Sequence, residues 1–550
     1  MNMISSFGKM LKKEFGGYNA ERLGKDVLAG VTVAAVALPL ALAFGVSCGA
    51  DAAAGLVTAI FAGFVIGALS GGSYQISGPT GAMTAVLVTI VAQYGLQGVF
   101  IACLMSGVLL LAAGLLKLGG LVSYIPMPVI TGFTSGIAVI IALGQVNNLA
   151  GLTSSGDTTI QKLVSYFTTP QTLDVAALCI GGAVILFMAL YPKKLNRYIP
   201  SSLAAIILAT AVNMIFGFSV SEVGEIPKTV FLSSRLNIGE ITPDILVNLI
   251  PAAVSIAALG LIESLLCGAS AGRMKNEKLN SNQELIAQGI GNIVLPFFGG
   301  VPATAAIART SVAIKAGGRT RLTSIVHSVV LLLSMFLLGP VMSRIPLASL
   351  AGVLIVTAWR MNEWSVIKDM SKKKIKTALS QFFITMAATV VFDLTTAILI
   401  GIAFSIVMFM VKISSISIEV AEIDMKRINP SVKYTEKFDK TSVAYITGPL
   451  YFGTCGKLED KLAEISRRDV VVFSMRGVTL ADISGVQAIK ELCATLAENN
   501  TKVYFSCVNP PVMTMLERCG IYEVVDKSDF FWSTDMILEQ ISCEDMQPVA

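Results

Sequence analysis

Long apolar stretches separated by short polar loops fill residues 27 to 412. A helix that spans a bilayer needs about 20 mostly apolar residues. Stretches of this kind lie at 27–47, 52–70, 98–116, 124–143, 175–191, 200–217, 247–270, 321–339, 341–359, 377–392 and 394–412. Three further apolar segments, too short or too broken to cross alone, lie at 79–93, 284–298 and 303–314. The pattern predicts a polytopic all-α membrane protein with fourteen membrane segments.

From about residue 440 the pattern becomes that of a soluble α/β domain. Short β-prone runs alternate with helical segments, which is typical of a sheet flanked by helices. The predicted strands are 441–447, 469–475 and 502–507, and the predicted helices are 454–466, 485–499, 510–519 and 533–542.

The composition supports this division. Apolar residues make up 54% of the chain and charged residues 14%, whereas soluble proteins carry about 25% charged residues. The net charge of +5 is modest and lies mostly in short loops, which indicates membrane topology and no nucleic-acid partner. No motif indicates an enzyme, a cofactor or a metal site. We expect a cytoplasmic N-terminal segment at 1–26, a transmembrane transport domain at 27–412, a linker at 413–439 and a cytoplasmic domain at 440–550.

Basic residues are distributed unevenly among the loops. With an even number of segments both termini lie on one side, and the loops assigned to that side are rich in Lys and Arg. These loops cover 193–197, 273–278, 315–321 and 368–376. The loops on the other side hold only Lys162, Lys228, Arg235 and Arg344. Because cytoplasmic loops carry the excess of basic residues, we expect a multi-pass protein of the cell membrane with both termini in the cytoplasm.

Two glycine- and proline-broken segments stand at equivalent places in the two halves. Gly71 to Thr84 precedes the first short helix, and Gly299 to Ala306 precedes the second. Irregular backbone at membrane depth is tolerated only where protein encloses it or a cavity adjoins it. Paired broken helices of this kind indicate an inverted-repeat transporter with its site at the midplane.

The starts of these two short helices are the candidate anion site. Each leaves backbone N–H groups unpaired and carries a partial positive charge, so two facing starts can hold an anion. Small residues that would let an anion reach the backbone surround both starts: Thr80, Gly81, Ala82 and Thr84 at the first, and Ala305, Ala306, Ile307 and Ala308 at the second. The alternative is that small residues only permit close helix packing.

Two ionisable residues fall inside predicted spans. Arg309 lies one turn into the second short helix, and Glu263 lies deep in an apolar helix. An intramembrane charge is costly and points to function. We expect Arg309 to add positive field to the anion site and Glu263 to balance it in part while carrying a proton or helping to hold a cation. The alternative is a structural ion pair. His327, the sole histidine, is expected to pack and hydrogen-bond within its helix.

Together these residues resemble the SulP (sulfate permease) family of anion transporters. The resemblance is carried by the run Ala37 to Gly45, the run Gln75 to Gly81, the pair Arg309-Thr310 and a C-terminal STAS domain. The N-terminal half is most similar to the family's sodium-dependent bicarbonate transporters. The family implies seven-plus-seven inverted repeats, a core domain that moves against a gate domain, and a homodimer.

The resemblance also implies residue roles. Leu40 and Phe44 should line the pocket, Thr80 should contact the anion, and Ala306 and Ile307 should offer backbone N–H groups. Glu263 and Cys267 stand where the sodium–bicarbonate members have an aspartate and a threonine for the cation, and Ile307 stands where they have a second threonine. Cysteine and isoleucine are poor ligands for a hard cation, so proton coupling or anion exchange becomes the favoured alternative to Na⁺.

In the STAS domain, Asp482-Ile483-Ser484-Gly485 resembles the loop that is phosphorylated on serine in soluble anti-sigma antagonists. Ser484 is therefore a candidate regulatory phosphosite. The alternative is that Ser484 caps the helix that starts near Gly485.

These observations predict a secondary transporter of a small inorganic anion, bicarbonate or sulfate first, that works by an elevator-like movement in the bilayer as a homodimer. H⁺ or Na⁺ is the candidate coupling ion. The alternatives are a dicarboxylate transporter of the same fold, an uncoupled anion channel or voltage-responsive motor, and a nucleobase–cation symporter. A membrane anchor for a working cytoplasmic domain is a further reading, which the intramembrane Glu263 and Arg309 oppose.

Overall fold

The computed structural model describes residues 3–152, 159–168, 172–192, 194–197, 199–392, 394–413, 416–424, 432–456 and 468–546. The chain divides into two compact units, residues 1–403 and 404–550. Most of the helix predicted at 454–466 lies outside the described residues.

The first unit is almost entirely helical. Its first half contains α1 Met3–Glu14, α2 Ala20–Ser47, α3 Ala52–Leu69, α4 Gly81–Leu115, α5 Met127–Gly144, α6 Val146–Ala150, α7 Thr159–Thr168, α8 Val175–Leu190 and α9 Ser201–Phe216. Its second half contains α10 Pro243–Lys275, α11 Ser281–Val294, α12 Ile307–Lys315, α13 Leu322–Met342, α14 Leu347–Met361, α15 Trp364–Lys372, α16 Lys376–Val391 and the start of α17 Leu394–Ile413.

Local sequence sets the ends of these helices, as α10 illustrates. The Thr242 side chain accepts a hydrogen bond from the Ile245 N–H and caps the helix, and Pro243 occupies the first turn, where its missing N–H costs nothing. The last turn carries Lys275, which suits the negative end of the helix dipole, and Asn276 ends the helix in a left-handed conformation. An apolar sequence of this length is thus given a defined start and stop.

Each of the fourteen predicted membrane segments corresponds to helix in the structure. Among the described residues, seven helices are long and apolar enough to cross a bilayer, and three apolar helices are shorter. Gly95 has φ 64° and breaks α4 into two helices, which accounts for the separate segments predicted at 79–93 and 98–116. The short segment at 303–314 is α12.

Helix packing repeats between the two halves. In the repeat, α10 corresponds to α2, and α13 corresponds to the second part of α4. Accordingly, α2 packs on α13, and α10 packs on α4. α5 packs on α16, and α14 packs on α8 in the same way. Because each half has an odd number of segments, seven, the second half crosses the membrane in the direction opposite to the first. These matched contacts therefore fit an inverted repeat. With the contacts of α3, α11 and α12 to α2, α4 and α10, and of α9 to α8 and α14, two groups result. One is built on α2, α3, α4 and α10 to α13, and the other on α5, α8, α9, α14 and α16.

The second unit contains a five-stranded sheet in the order β3 Ser417–Glu422, β4 Thr441–Thr447, β5 Val470–Gly477, β6 Lys502–Ser506 and β7 Phe530–Phe531. β3 is antiparallel to β4, and the other neighbours are parallel. Helices α18 Ile483–Glu498, α19 Pro510–Arg518 and α20 Thr534–Met546 accompany it, and Phe473 and Phe505 lie fully buried in its core. The predicted linker at 413–439 is therefore wrong in part, because β3 pairs along its length with β4.

Candidate functional site

Two short strands join the broken segments at the centre of the first unit. β1 Ser77–Gly78 pairs antiparallel with β2 Thr304–Ala305, so that Ser77 lies opposite Ala305 and Gly78 opposite Thr304. The Ala306 N–H also donates to the Ile76 carbonyl at 3.0 Å. Since Thr80 caps α4 and Ala306 immediately precedes α12, the pairing brings the two helix starts next to each other.

Polar side chains from spanning helices satisfy the irregular backbone around these strands. The Asn292 amide both accepts from the Ala303 N–H at 2.8 Å and donates to the Ala303 carbonyl at 3.0 Å. The Thr58 hydroxyl accepts from the Val301 N–H at 2.7 Å. In the reverse sense, the Gln75 amide of the first broken segment donates to the Ser264 carbonyl of α10 at 2.7 Å. These contacts let non-helical backbone persist where water is scarce. Sequence analysis missed these residues, although polar residues inside apolar spans were a visible signal.

The two helix starts differ in their N-caps. Thr80 caps α4, with its hydroxyl accepting from the Met83 N–H at 3.4 Å. Ala306 stands at the same place before α12, and no side chain caps that helix. Among the described residues, the N–H groups of Ile307 and Ala308 therefore have no protein acceptor, which leaves the α12 start the more available for an anion.

Glu263 is linked to the first start and not to Arg309. The Thr80 hydroxyl donates to the Glu263 carboxylate at 2.9 Å. No ion pair joins Arg309 to a carboxylate among the described residues, so the expected balancing of Arg309 by Glu263 does not take the form of a salt bridge. Glu263 is on α10 and Arg309 is on α12. Glu263 is hydrogen-bonded to Thr80, and Arg309 to the Pro79 carbonyl.

Arg309 lies beneath the start of α4. Its side chain is only 2% exposed, and Nη2 donates to the Pro79 carbonyl at 2.9 Å. Nη1 is buried with no hydrogen-bond partner among the described residues, and a methyl group added at Gly78 would lie 2.5 Å from it. A buried guanidinium whose Nη1 has no hydrogen-bond partner among the described residues places positive charge close to both helix starts.

The remaining predicted residues divide into two sets. A first set is buried, and it comprises Leu40, Phe44, Gly81, Ala82, Thr84 and Ala305. Ile307 is 44% exposed, and Ala308 is exposed beside it.

Cys267 is buried, and its thiol donates a hydrogen bond to the Thr310 hydroxyl at 3.4 Å within the core. His327 is fully buried, and neither ring nitrogen has a hydrogen-bond partner among the described residues, so the expected intrahelical bond is absent.

A cavity of about 910 Å³ reaches the first helix start. It is lined by Phe44, Gly81, Thr84 and several amide side chains, and no Lys, Arg, Asp or Glu of the described residues lines it. Residues 305–309 do not line it either. The two starts lie side by side, but this cavity opens onto one of them only.

In the STAS region, Asp482 is the N-cap of α18. Its carboxylate accepts from the Gly485 N–H at 2.8 Å, so the alternative that Ser484 caps the helix is wrong. Ser484 is exposed in the first turn, and its hydroxyl stands near the positive end of the helix.

An inverted-repeat membrane unit with two broken helices that meet is the arrangement typical of membrane transporters. The chain belongs to the sulfate permease family, which it matches over residues 23–388, and it matches the STAS domain over residues 433–535. The predictions of family and of fold class are thereby confirmed. Membership of a sulfate permease family opposes the interpretation of the membrane unit as an anchor alone.

Relatives in two bacteria match almost end to end. The chain is 35% identical to the putative sulfate transporter YvdB of Bacillus subtilis, with 95% of this chain and 98% of that protein covered. It is 29% identical to the bicarbonate transporter BicA of Picosynechococcus, with 94% of each covered.

Solved structures show the same fold. The transmembrane domain of a cyanobacterial bicarbonate transporter BicA matches with a TM-score of 0.64 at 29% identity, covering 71% of this chain and 98% of that one. The murine Solute Carrier 26 family member A9 anion transporter, in its inward-facing state, matches with a TM-score of 0.84 at 18% identity, covering 98% of this chain and 95% of that one.

Proposed function

We propose that this protein is a secondary active transporter of a small inorganic anion, bicarbonate or sulfate, across the cell membrane. The observation that carries the proposal is the meeting of two helix starts beside a buried guanidinium. β1 and β2 hold Thr80 and Ala306 close together, and Nη1 of Arg309 has no hydrogen-bond partner in the described part of the chain. Backbone N–H groups and one fixed positive charge are what a small oxyanion needs.

The cavity that leads to the first helix start offers an anion a polar but uncharged route among the described residues. Its polar lining comes from hydroxyl and amide groups such as Thr84, Gln93 and Asn248. The two named relatives are a putative sulfate transporter and a bicarbonate transporter. The chemistry of the helix starts suits both oxyanions. A dicarboxylate is the second candidate substrate, because the same helix starts could each hold a carboxylate.

The movement we propose is elevator-like alternating access. The site residues Phe44, Thr80, Glu263 and Arg309 all belong to the helix group built on α2, α4, α10 and α12, and the other group flanks it. Moving the first group as a body would carry the site across without dismantling its hydrogen bonds. A homodimer with cytoplasmic termini remains part of this proposal and rests on the family resemblance and on the loop charges.

For coupling we propose Glu263 as the proton-carrying group, with anion exchange as the alternative. Its carboxyl is hydrogen-bonded to Thr80, the residue that caps the first helix start, so protonation and anion binding act on the same few atoms. The Cys267 thiol is hydrogen-bonded to Thr310, which argues against a sodium site built on Cys267. Strict dependence on sodium, with no effect of a pH gradient, would contradict this part of the proposal.

The experiment is uptake by purified protein in liposomes. Labelled bicarbonate, sulfate, chloride and fumarate are compared in sodium-free and sodium buffers, with and without a pH gradient. Arg309→Ala should lower uptake of the carried anion by about tenfold or more. Arg344→Ala is the matched control, since Arg344 is well exposed and its ion pair with Glu222, at 3.5 Å, lies at the surface. Equal loss in both variants, or none in Arg309→Ala, would contradict the role of Arg309.

Two rival functions are separated in the same vesicles. A channel or voltage-responsive motor would give single-channel or gating currents without counterflow of labelled anion. A nucleobase–cation symporter would show competition by uracil. The proposal requires counterflow and no competition by uracil.

A further inference from the structure

The cavity ends at an apolar contact that the proposed anion must pass. The cavity follows the first part of α4, touching Gly81, Thr84, Thr89 and Tyr94 in turn. Neither Thr80 nor any of residues 305–309 lines it. Its inner end is therefore at Gly81, one residue short of the cap of α4.

Two side chains press on Gly81 at that end. A methyl group added to Gly81 would lie 2.2 Å from Cδ1 of Ile141 and 3.2 Å from Cε1 of Phe44. Ile141 and Phe44 are each 6% exposed. The backbone of Gly81 is thus covered, and even one carbon more would not fit without movement of Ile141.

The contact crosses between the two helix groups. Phe44 is on α2 and Gly81 is on α4, both in the group that carries the site, whereas Ile141 is on α5, which packs on α16 in the other group. A relative movement of the groups would therefore separate Ile141 from Gly81. Apolar constrictions exclude hydrated ions while they are closed.

We propose that Ile141 is the gate and size-selecting residue between the cavity and the anion site. This inference rests on the proposed function and names what limits its substrate. With Ile141 against Gly81, the cavity stops at Gly81, and the cap residue Thr80 is closed off from it. When α5 moves away, the room left between Ile141, Phe44 and Gly81 decides how large an anion can reach Thr80.

The principal test compares anion selectivity in proteoliposomes. Ile141→Ala removes three carbons, and the ratio of sulfate or fumarate uptake to bicarbonate uptake should rise by about tenfold or more, since a single methylene in an apolar pocket discriminates by about 10–200-fold. Ile140→Ala is the control, because Ile140 lines the same cavity but supplies none of the atoms nearest Gly81. An unchanged ratio in a well-folded Ile141→Ala protein would overturn the inference.

A compensation test removes the ambiguity of a damaged protein. Gly81→Ala should suppress uptake, and Ile141→Ala in the same chain should restore it. Ile141→Val, which removes only Cδ1, should give a smaller rescue and guards against misfolding of the alanine variant. Absence of rescue by either substitution, with each protein eluting as one species, would show that the contact does not gate the site.

A third readout does not need transport. A thiol at the cap, Thr80→Cys, is offered a membrane-impermeant thiol reagent from one side at a time, with labelling at residue 80 measured by mass spectrometry. Ile141→Ala should speed labelling several-fold from the side on which the cavity opens and leave the other side unchanged. If the wild type carries none of the four anions, the proposed function fails, while this measurement still decides whether Ile141 is a gate.

Discussion

Each of the two broken segments consists of a short strand followed by the start of a helix. The two helix starts differ in how they are capped and covered. The start of α4 is capped by Thr80, bonded to Glu263 through that cap, and covered by Phe44 and Ile141. The start of α12 has alanine at the cap position, and its first residue, Ile307, is 44% exposed. The first start is thus tied to the candidate coupling group, and the second keeps its N–H groups available. This difference suggests that one half of the repeat controls the site and the other supplies most of the anion's ligands.

The largest effect should come from removing the charge that both starts share. Arg309→Ala is expected to lower uptake by about 10-fold to several hundred-fold, because a hydrogen bond to a charged group contributes about 1.5–3 kcal/mol and the charge also acts on the anion. Initial uptake rates in liposomes measure this. Arg309→Lys should recover part of the rate, as it keeps the charge without the fork. Full activity in Arg309→Ala would contradict the account.

A second large effect concerns coupling through the first start. Glu263→Gln keeps an acceptor for Thr80 and removes the titrating carboxyl. We expect uptake driven by a proton gradient to fall to the level without a gradient, while exchange of anion for anion persists. Glu240→Gln, at an exposed glutamate that ends a short 3-10 turn, serves as the control. Gradient-driven accumulation that survives in Glu263→Gln would exclude Glu263 as the proton carrier.

A cap can be added to the start that lacks one. In Ala306→Ser the new hydroxyl should accept from the N–H groups of α12, as serine does at N-cap positions, with a gain of about 0.5–2 kcal/mol for the helix. The same hydroxyl competes with the anion, so the concentration for half-maximal uptake should rise several-fold while thermal stability holds or increases. An unchanged concentration would show that the α12 N–H groups do not bind the anion.

The cap of the first start can be removed. Thr80→Val should lose the bonds to Met83 and Glu263 and cost about 1 kcal/mol of stability, as N-cap losses typically do, whereas Thr80→Ser should keep both. Thermal unfolding in detergent compares the two variants, and uptake of the serine variant should stay near wild type. Equal stability of the two variants would contradict a capping role for Thr80.

The smallest effect is expected far from either start. Phosphate on Ser484 would stand in the first turn of α18, where negative charge is favoured by the helix dipole. Ser484→Ala should leave uptake by unphosphorylated protein in liposomes unchanged. Phosphopeptide mapping of protein from its native cells checks the site, and repeated recovery of unmodified Ser484 would leave it without a regulatory role.

Much of the fold followed from local signals. Apolar length predicts the spans, and the glycines and prolines around Pro79 and Pro302 mark the breaks, because both depend on residues that are neighbours in the sequence. The strand β3 was missed because Ser417–Glu422 gains its strand partner only through pairing with β4. Ser484 was a plausible cap, but the actual cap, Asp482, stands two residues earlier.

The site was less accessible to sequence analysis, since its contacts join distant residues. Arg309 could be predicted as a buried charge, but its partner is a carbonyl at Pro79 rather than Glu263. Ile141 gave no signal, because an isoleucine in an apolar helix is ordinary until Gly81 is found beneath it. Asn292 and Thr58 were visible as polar residues in spans, and only the structure shows that they hold the second broken segment in place.

The central claim is tested most directly by a structure of the protein with its transported anion bound. The account predicts density for one anion between the starts of α4 and α12, within hydrogen-bonding distance of N–H groups from Ile307 or Ala308 and close to the Thr80 hydroxyl. Density found only in the outer cavity beside Gln93 and Asn248, with both helix starts empty during saturating transport conditions, would contradict it.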